Sequence, residues 1–327
     1  MTTTPVSLID ELIAGDQRAL ALAISAIEDR KPGYRELVGR LHHETTDAHV
    51  IGVTGSPGSG KSTLVNRLAE FYRSRDETVG IIAIDPSSPF TGGAVLGDRI
   101  RMSAAVGDDG IFVRSMSARG SLGGLSTATA DAVKAMDAAG KDRIIIETVG
   151  AGQNEIDVVK TADSVLVLVP PQSGDAVQML KAGILEIADI FVVNKADLDG
   201  ADRTVKELLD LIEHDPIDQE ANGWSTSIVE TVATDGTGVD DLGSTIDTHS
   251  AYLETSNQGI ERDRKRYAEE VNTIVREELA ILLEREIDRQ GGIDELAEAI
   301  RIRETDPYTV AESLVDPLRV SLGDDVD

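Results

Sequence analysis

The run Gly55-Ser56-Pro57-Gly58-Ser59-Gly60-Lys61-Ser62-Thr63 has the residue types and spacing to hold phosphates. It fits G-x-x-x-x-G-K-[ST], in which glycines let successive backbone N–H groups converge on one anion. A helix starting at the lysine would add its own unpaired N–H groups and positive dipole end. Lys61 would reach the β- and γ-phosphates, and the Ser62 hydroxyl would ligate Mg²⁺. A glycine-rich turn that binds nothing is the alternative. The flanks argue against it, because apolar Val50-Ile51-Gly52-Val53 reads as a buried strand and Ser62–Leu68 as a helix.

A second motif bears on the base. Asn194-Lys195-Ala196-Asp197 follows the apolar strand Ile190–Val193 and fits N-K-x-D. A buried Asp197 carboxylate would accept from the N1–H and 2-amine of guanine. Adenine offers neither donor there, and an unpaired buried carboxylate is costly. Asn194 would brace the loop and reach the base edge, while the Lys195 stem would cover the ring face. The competing reading is a loop in which Asp197 only caps a helix.

Three acids suit a Mg²⁺-nucleotide site. Asp85 follows the strand Val79–Ile84, Asp98 closes the same loop, and Glu147 ends the strand Arg143–Ile146. Mg²⁺ takes octahedral oxygens, usually one or two carboxylates with phosphates and waters, so some of these acids would act through water. Asp85 and Asp98 are otherwise turn and helix caps. Gly150 can offer an unobstructed N–H to a γ-phosphate, which lets its loop sense that phosphate. No glutamine directly follows Gly150 to orient water; Gln153 is the candidate.

The elements needed to position these groups follow from hydrophobic periodicity. Strands over Val50–Val53, Val79–Ile84, Ile111–Val113, Arg143–Ile146, Ser164–Val169, Ile190–Val193 and Ile228–Val232 alternate with helical stretches. That alternation predicts an α/β fold, a mostly parallel sheet with helices on both faces and chemistry at the strand C-termini. Residues 1–46 read as an N-terminal helical extension broken at Pro32-Gly33, and 47–254 as the nucleotide domain. Residues 255–327 read as a helical region, with 256–289 one helix ended by Gly291-Gly292 and two short helices after it. Its stripe of Tyr267, Val271, Ile274, Val275, Leu282 and Ile287 either packs on its own domain or dimerises.

Composition narrows the classes. In 327 residues, 59 acids against 31 lysines and arginines give a net charge of −28, which opposes nonspecific nucleic-acid binding. Such self-repulsion, spread along the chain, reads as salt adaptation in a halophilic cytoplasm, with an ordinary acidic mesophile protein as the alternative. Zero cysteines exclude disulfides and thiolate sites, and the five histidines show no metal-ligand spacing. His42-His43 is their closest approach in sequence. No run of 18 apolar residues predicts a membrane span, and the N-terminal residues do not read as a secretory signal.

The segments Asp85–Met102, Arg114–Gly124 and Glu147–Gln153 together resemble the methylmalonyl-CoA mutase-associated GTPases, of the MeaB/ArgK type. The resemblance runs over nearly the full length. It implies a P-loop G protein, homodimeric through its C-terminal helices, that uses GTP/GDP and Mg²⁺. It also implies a chaperone of adenosylcobalamin-dependent methylmalonyl-CoA mutase, which gates cofactor loading and protects or reactivates that enzyme. Hydrolysis would be slow alone and faster with the mutase. A third switch segment would run from Pro170 to Lys181, with Lys181 coupling nucleotide to partner; as a bare residue, Lys181 is equally a solvated helix lysine. Arg99, Arg101 and Arg119 would act on phosphates or on the mutase, or form surface ion pairs.

Two departures from the family pattern stand out. Val232-Ala233-Thr234 replaces the usual Ser-Ala base loop, leaving Ala233 for a backbone contact to guanine O6. Pro170-Pro171 replaces the usual small residues at the third switch. Rival readings are an ATP-dependent kinase or ATPase linked to basic amino-acid (LAO/AO) transport, opposed by N-K-A-D, and a metallochaperone GTPase, opposed by the missing cysteine and histidine clusters.

Overall fold

The computed structural model describes residues 5–85, 108–117, 124–148, 161–171, 187–213 and 223–322. The chain divides into two compact units, Met1–Arg266 and Tyr267–Asp327.

In the first unit, seven parallel strands form one sheet in the order β3-β2-β4-β1-β5-β6-β7. They are β1 (His49–Gly55), β2 (Val79–Asp85), β3 (Ile111–Ser117), β4 (Arg143–Thr148), β5 (Ser164–Val169), β6 (Ile190–Asn194) and β7 (Ser227–Thr231). The centre reads as continuous apolar runs because both faces are covered; every residue of β5 and β6 is buried. β1 lies between β4 and β5, with Val53 beside Glu147 and Gly55 beside Leu168. The chain leaves β1 towards β2 and later returns to its other side at β5. The phosphate-loop candidate therefore emerges where the strand order reverses, the crevice in which open parallel sheets bind ligands.

Pleating divides the core by odd and even positions. On one face, Val50, Ile82, Ile84, Ile144 and Ile146 pack with α1 (Pro5–Ile13), α2 (Gln17–Glu28), α3 (Tyr34–His42) and α5 (Gly124–Ala138). On the other, Ile51, Val53, Ile81, Ile145, Leu166 and Val192 pack with α4 (Lys61–Arg73) and α7 (Val239–Thr255). Val165, Val167, Phe191 and Val193 extend the first face onto α6 (Ala201–Glu213). Arg114 on β3 pairs with Glu28 and donates 3.0 Å to Ser25 Oγ, tying α2 to the sheet edge.

The structure departs from periodicity in two places. The N-terminal segment is three helices, because Gly15 turns the chain at φ +85° and Asp16 then caps α2 by accepting from Ala19 N–H. Strand β3 runs through Ser117 where apolar content ended at Val113, since its polar residues Arg114 and Ser115 stay in register with Ile82 and Ala83.

Below the strand starts, Ser164 Oγ bonds two histidines, His49 Nε2 at 2.8 Å and His249 Nδ1 at 2.6 Å. Asp189 lies 3.5 Å from His249 Nε2 and binds Arg262 at the root of α8 (Asn257–Arg289). Asp163 accepts from Val50 N–H and from Arg266. Burial holds His249 neutral, down to about 4, against the opposing pull of Asp189. Its folded pKa is below the unfolded value, so the stability it contributes is present above the unfolded pKa and lost as pH falls through the folded one. Between pH 7 and pH 4 this histidine alone should cost about 3 kcal/mol. Urea titration of wild type and His249→Phe at both pH values checks this; the variant should lose less on acidification by about that amount.

The second unit holds the rest of α8 with α9 (Ile293–Arg301) and α10 (Pro307–Leu322). Gly291 and Gly292, at φ +104° and +89°, end α8, and Gln290 Nε2 donates to Ser313 O. Asp306 caps α10. No residue of α8 is buried, and of its apolar stripe Tyr267, Val271, Ile274, Val275 and Leu282 are exposed and Ile287 half-buried.

Candidate functional site

Three strand ends meet in the first unit. At the end of β1, Gly55 is at φ +145°, and a Cβ there would lie 2.4 Å from Leu168 O on β5. The loop turns through Gly58 at φ +79° and Gly60 at φ +97° into α4. Lys61 folds back, its Nζ donating to Gly55 O at 2.8 Å and Ser56 O at 3.0 Å. The ammonium is buried at the loop's centre, where an entering phosphate would meet it. The Ser56 and Ser59 hydroxyl oxygens are buried with no partner among the described residues. Unpaired buried hydroxyls are costly and suit a ligand rich in acceptors. Pro57 and Gly58 at the loop tip and Thr63 on α4 are exposed.

The Asn194-Lys195 pair is wired to this loop. Asn194 Nδ2 donates to Ser59 O at 2.7 Å, and Lys195 Nζ donates to Gly58 O at 2.8 Å. Asn194 Oδ1 accepts from Thr231 Oγ1 and from Ala233 N–H, both at 3.1 Å. Asn194 is therefore a brace between the phosphate loop, β7 and the base loop. Lys195 adopts φ +63°, uncommon for a side chain with a Cβ, and spans from its own loop to the phosphate loop. Asp197 is exposed, which corrects the expectation of a buried carboxylate. An exposed carboxylate at this position would discriminate between bases by hydrogen bonds formed or forfeited, not by a desolvated charge. The Ala233 N–H assigned to guanine O6 is engaged by Asn194.

Gly60 shows how tight the wiring is, because a Cβ there would lie 2.3 Å from Asn194 Nδ2. Gly60→Ala combines that clash with an L-residue at positive φ and should cost about 1–3 kcal/mol. The expected outcome is a lower melting temperature together with loss of the stabilisation that GDP gives wild type, read by thermal denaturation with and without GDP.

For the metal, Ser62 Oγ donates to Glu147 Oε1 at 2.5 Å. Glu147 is buried at the end of β4, and Ser62 opens α4. A hydroxyl and a carboxylate meeting beside the phosphate loop are hard oxygen donors, which fits Mg²⁺ completed by phosphate and water. Asp85 ends β2 one residue past Ile84, which pairs with Thr148. Its side chain, and all of Asp98, Arg99, Arg101, Arg119, Gly150, Gln153 and Lys181, lie outside the described residues.

Sequence reasoning missed the brace partners. Thr231 and Arg67 belong to no motif, and only their position beside Asn194 and Ala233 reveals them.

Residues 17–288 match the family described as methylmalonyl Co-A mutase-associated GTPase MeaB. The chain belongs to that family. This MeaB-type GTPase is 46% identical, over 312 residues, to a Pyrococcus abyssi protein named as a GTPase, covering 94% of this chain and 96% of that one. It is 39% identical over 206 residues to the fused isobutyryl-CoA mutase of Cupriavidus metallidurans, covering 62% of this chain and 19% of that protein. The crystal structure of a LAO/AO transport system kinase superposes with a TM-score of 0.71 at 23% identity, covering 98% of this chain and 99% of that one. At that identity the likeness speaks for the P-loop fold alone. No helix among the described residues is long and apolar enough to cross a membrane.

Proposed function

We propose that this MeaB-family GTPase hydrolyses Mg²⁺-bound GTP to chaperone an adenosylcobalamin-dependent acyl-CoA mutase, with methylmalonyl-CoA mutase the first candidate client. One observation carries the partner reading: the family match, joined by a stretch 39% identical to this chain within a fused isobutyryl-CoA mutase. A GTPase segment inside a mutase polypeptide supports direct contact between the two activities at high effective concentration.

In this reading the loop Gly55–Thr63 cradles the phosphates and Lys61 neutralises charge developing on the β–γ bridge. Ser62 and Glu147, with Asp85 and Asp98, hold Mg²⁺, which when bound would neutralise the phosphate oxygens. Asn194 and Lys195 lock the base loops to the phosphate loop, and Asp197 reads N1–H and the 2-amine. Catalysis is then positioning plus charge stabilisation, with Gly150 sensing the γ-phosphate and Gln153 orienting water. A water-orienting group that the partner completes accounts for slow turnover alone.

Two further features fit. The exposed stripe on α8, with Val271 59% and Val275 49% exposed, supports a homodimer through the C-terminal helices. The net charge of −28 supports work in a salt-rich cytoplasm, where repulsion is screened.

The test is phosphate release from GTP and from ATP, in molar KCl, with and without the methylmalonyl-CoA mutase of the same organism. GTP-selective turnover that rises with the mutase is the expected result. GTP turnover indifferent to the mutase overturns the client, and ATP preference overturns the guanine reading in favour of the transport-kinase alternative.

A further inference from the structure

Guanine and adenine differ most sharply at position 6, where one presents an acceptor and the other a donor. Reading that position needs an N–H held in a fixed direction. In the base loop after β7, Val232 and Ala233 bring no side-chain donor, and the one hydroxyl of Val232-Ala233-Thr234 is that of the exposed Thr234. Its N–H groups are largely committed. Ala233 N–H goes to Asn194 Oδ1, and those of Asp235 and Gly236 both go to Val232 O. The Thr234 N–H donates to no group among the described residues, and Thr234 is exposed.

The direction of that N–H is set from the other side. Arg67, on the phosphate-loop helix α4, donates from Nε to Ala233 O at 3.1 Å and from Nη2 to Thr234 O at 2.9 Å. Its Nη1 is held by Glu70 at 2.8 Å. The guanidinium is a rigid planar fork, so two donors on successive carbonyls fix the orientation of both peptide planes. In a trans peptide the C=O and the following N–H point in opposite directions. Drawing the Ala233 carbonyl towards Arg67 therefore turns the Thr234 N–H away from α4.

We propose that Arg67 is a positioning residue for guanine recognition: by clamping the Ala233 and Thr234 carbonyls it aims the Thr234 N–H at the O6 edge of the base. This rests on the GTPase reading above and extends it to the group that reads O6. The clamp also joins the base loop to the helix whose first turn holds the phosphates.

The experiment compares wild type, Arg67→Met and Arg67→Lys with GTP, inosine triphosphate and 6-thioguanosine triphosphate. The inosine nucleotide lacks only the 2-amine, the side of the base given to Asp197. The 6-thio nucleotide keeps N1–H and the 2-amine but has a weak acceptor at position 6. Arg67→Met keeps the stem and removes the donors. It should raise the KM for GTP about tenfold, as expected for the loss of charge-assisted hydrogen bonds, with kcat at saturation within about twofold. The preference for GTP over the 6-thio nucleotide should shrink, while that for GTP over the inosine nucleotide stays. Arg67→Lys, with one flexible ammonium, should recover part of the KM only. Glu70→Gln, an exposed change that loosens the same guanidinium, should shift the 6-thio preference in the same direction and serves if the Met variant folds poorly. If Arg67→Met erodes both preferences equally, the residue is merely structural and the proposal is overturned. Unchanged preferences beside an intact wild-type GTP preference also overturn it and leave the GTPase reading standing; a wild type without any guanine preference removes both.

Discussion

Lys61→Ala should reduce mutase-stimulated GTP turnover by roughly 10³-fold, a loss in the range set by single preorganised donors and charges at phosphoryl and oxyanion sites. The Lys61 Nζ is buried and held by the Gly55 and Ser56 carbonyls, so it meets the phosphates without first being ordered. Two effects then separate. Removing the charge weakens the transition state more than the ground state, so kcat falls further than GDP affinity. Removing the internal donors leaves two loop carbonyls less satisfied, at a cost of about 1–3 kcal/mol in stability. Single-turnover hydrolysis and denaturant titration measure the two. Lys61→Arg should rescue little, because a planar fork does not match a site shaped round a compact ammonium. Turnover within a fewfold of wild type in the alanine variant would mean that charge for the transition state comes from elsewhere.

Asp197→Asn should invert base preference. The carboxylate accepts from two guanine donors; the amide accepts from one and donates one, which suits xanthine with its oxygen at position 2. Charge-assisted hydrogen bonds contribute about 1.5–3 kcal/mol each, so GTP affinity should fall by about 10²–10³-fold while xanthosine triphosphate gains. Because Asp197 is exposed and ends no core contact, the substitution should leave melting temperature unchanged. Competition of the two triphosphates for one fluorescent nucleotide reads the switch, and an unaltered ratio would remove Asp197 from base recognition.

The parts of this site that could be read from sequence are those whose chemistry is local in the chain. The phosphate loop announces itself because glycine spacing, lysine and the flanking strand are contiguous, and N-K-A-D because it ends an apolar run. The sheet was legible for a related reason: β5 and β6 are buried on both faces and therefore continuously apolar. What periodicity cannot see is contact across the fold. Ser62 meets Glu147 through the adjacency of β1 and β4, Arg67 reaches Ala233 from a helix with no motif, and His49 and His249 share Ser164 although nothing in their spacing links them. The burial expected for Asp197 failed because a loop past a strand end lies beyond the covered part of the sheet.

The packing of α1, α2 and α3 bears on the birth of the protein. Ile9, Leu12, Leu20, Ile24 and Leu41 share one core with Ile82, Ile84, Ile144 and Ile146. The ribosome makes these helices before the strands that cover them, so their shared core is completed only once β4 has cleared the exit tunnel. This domain is therefore expected to fold as one unit, after its central strands have been made. The nascent helices must be kept soluble while the strands that complete their core are still being translated.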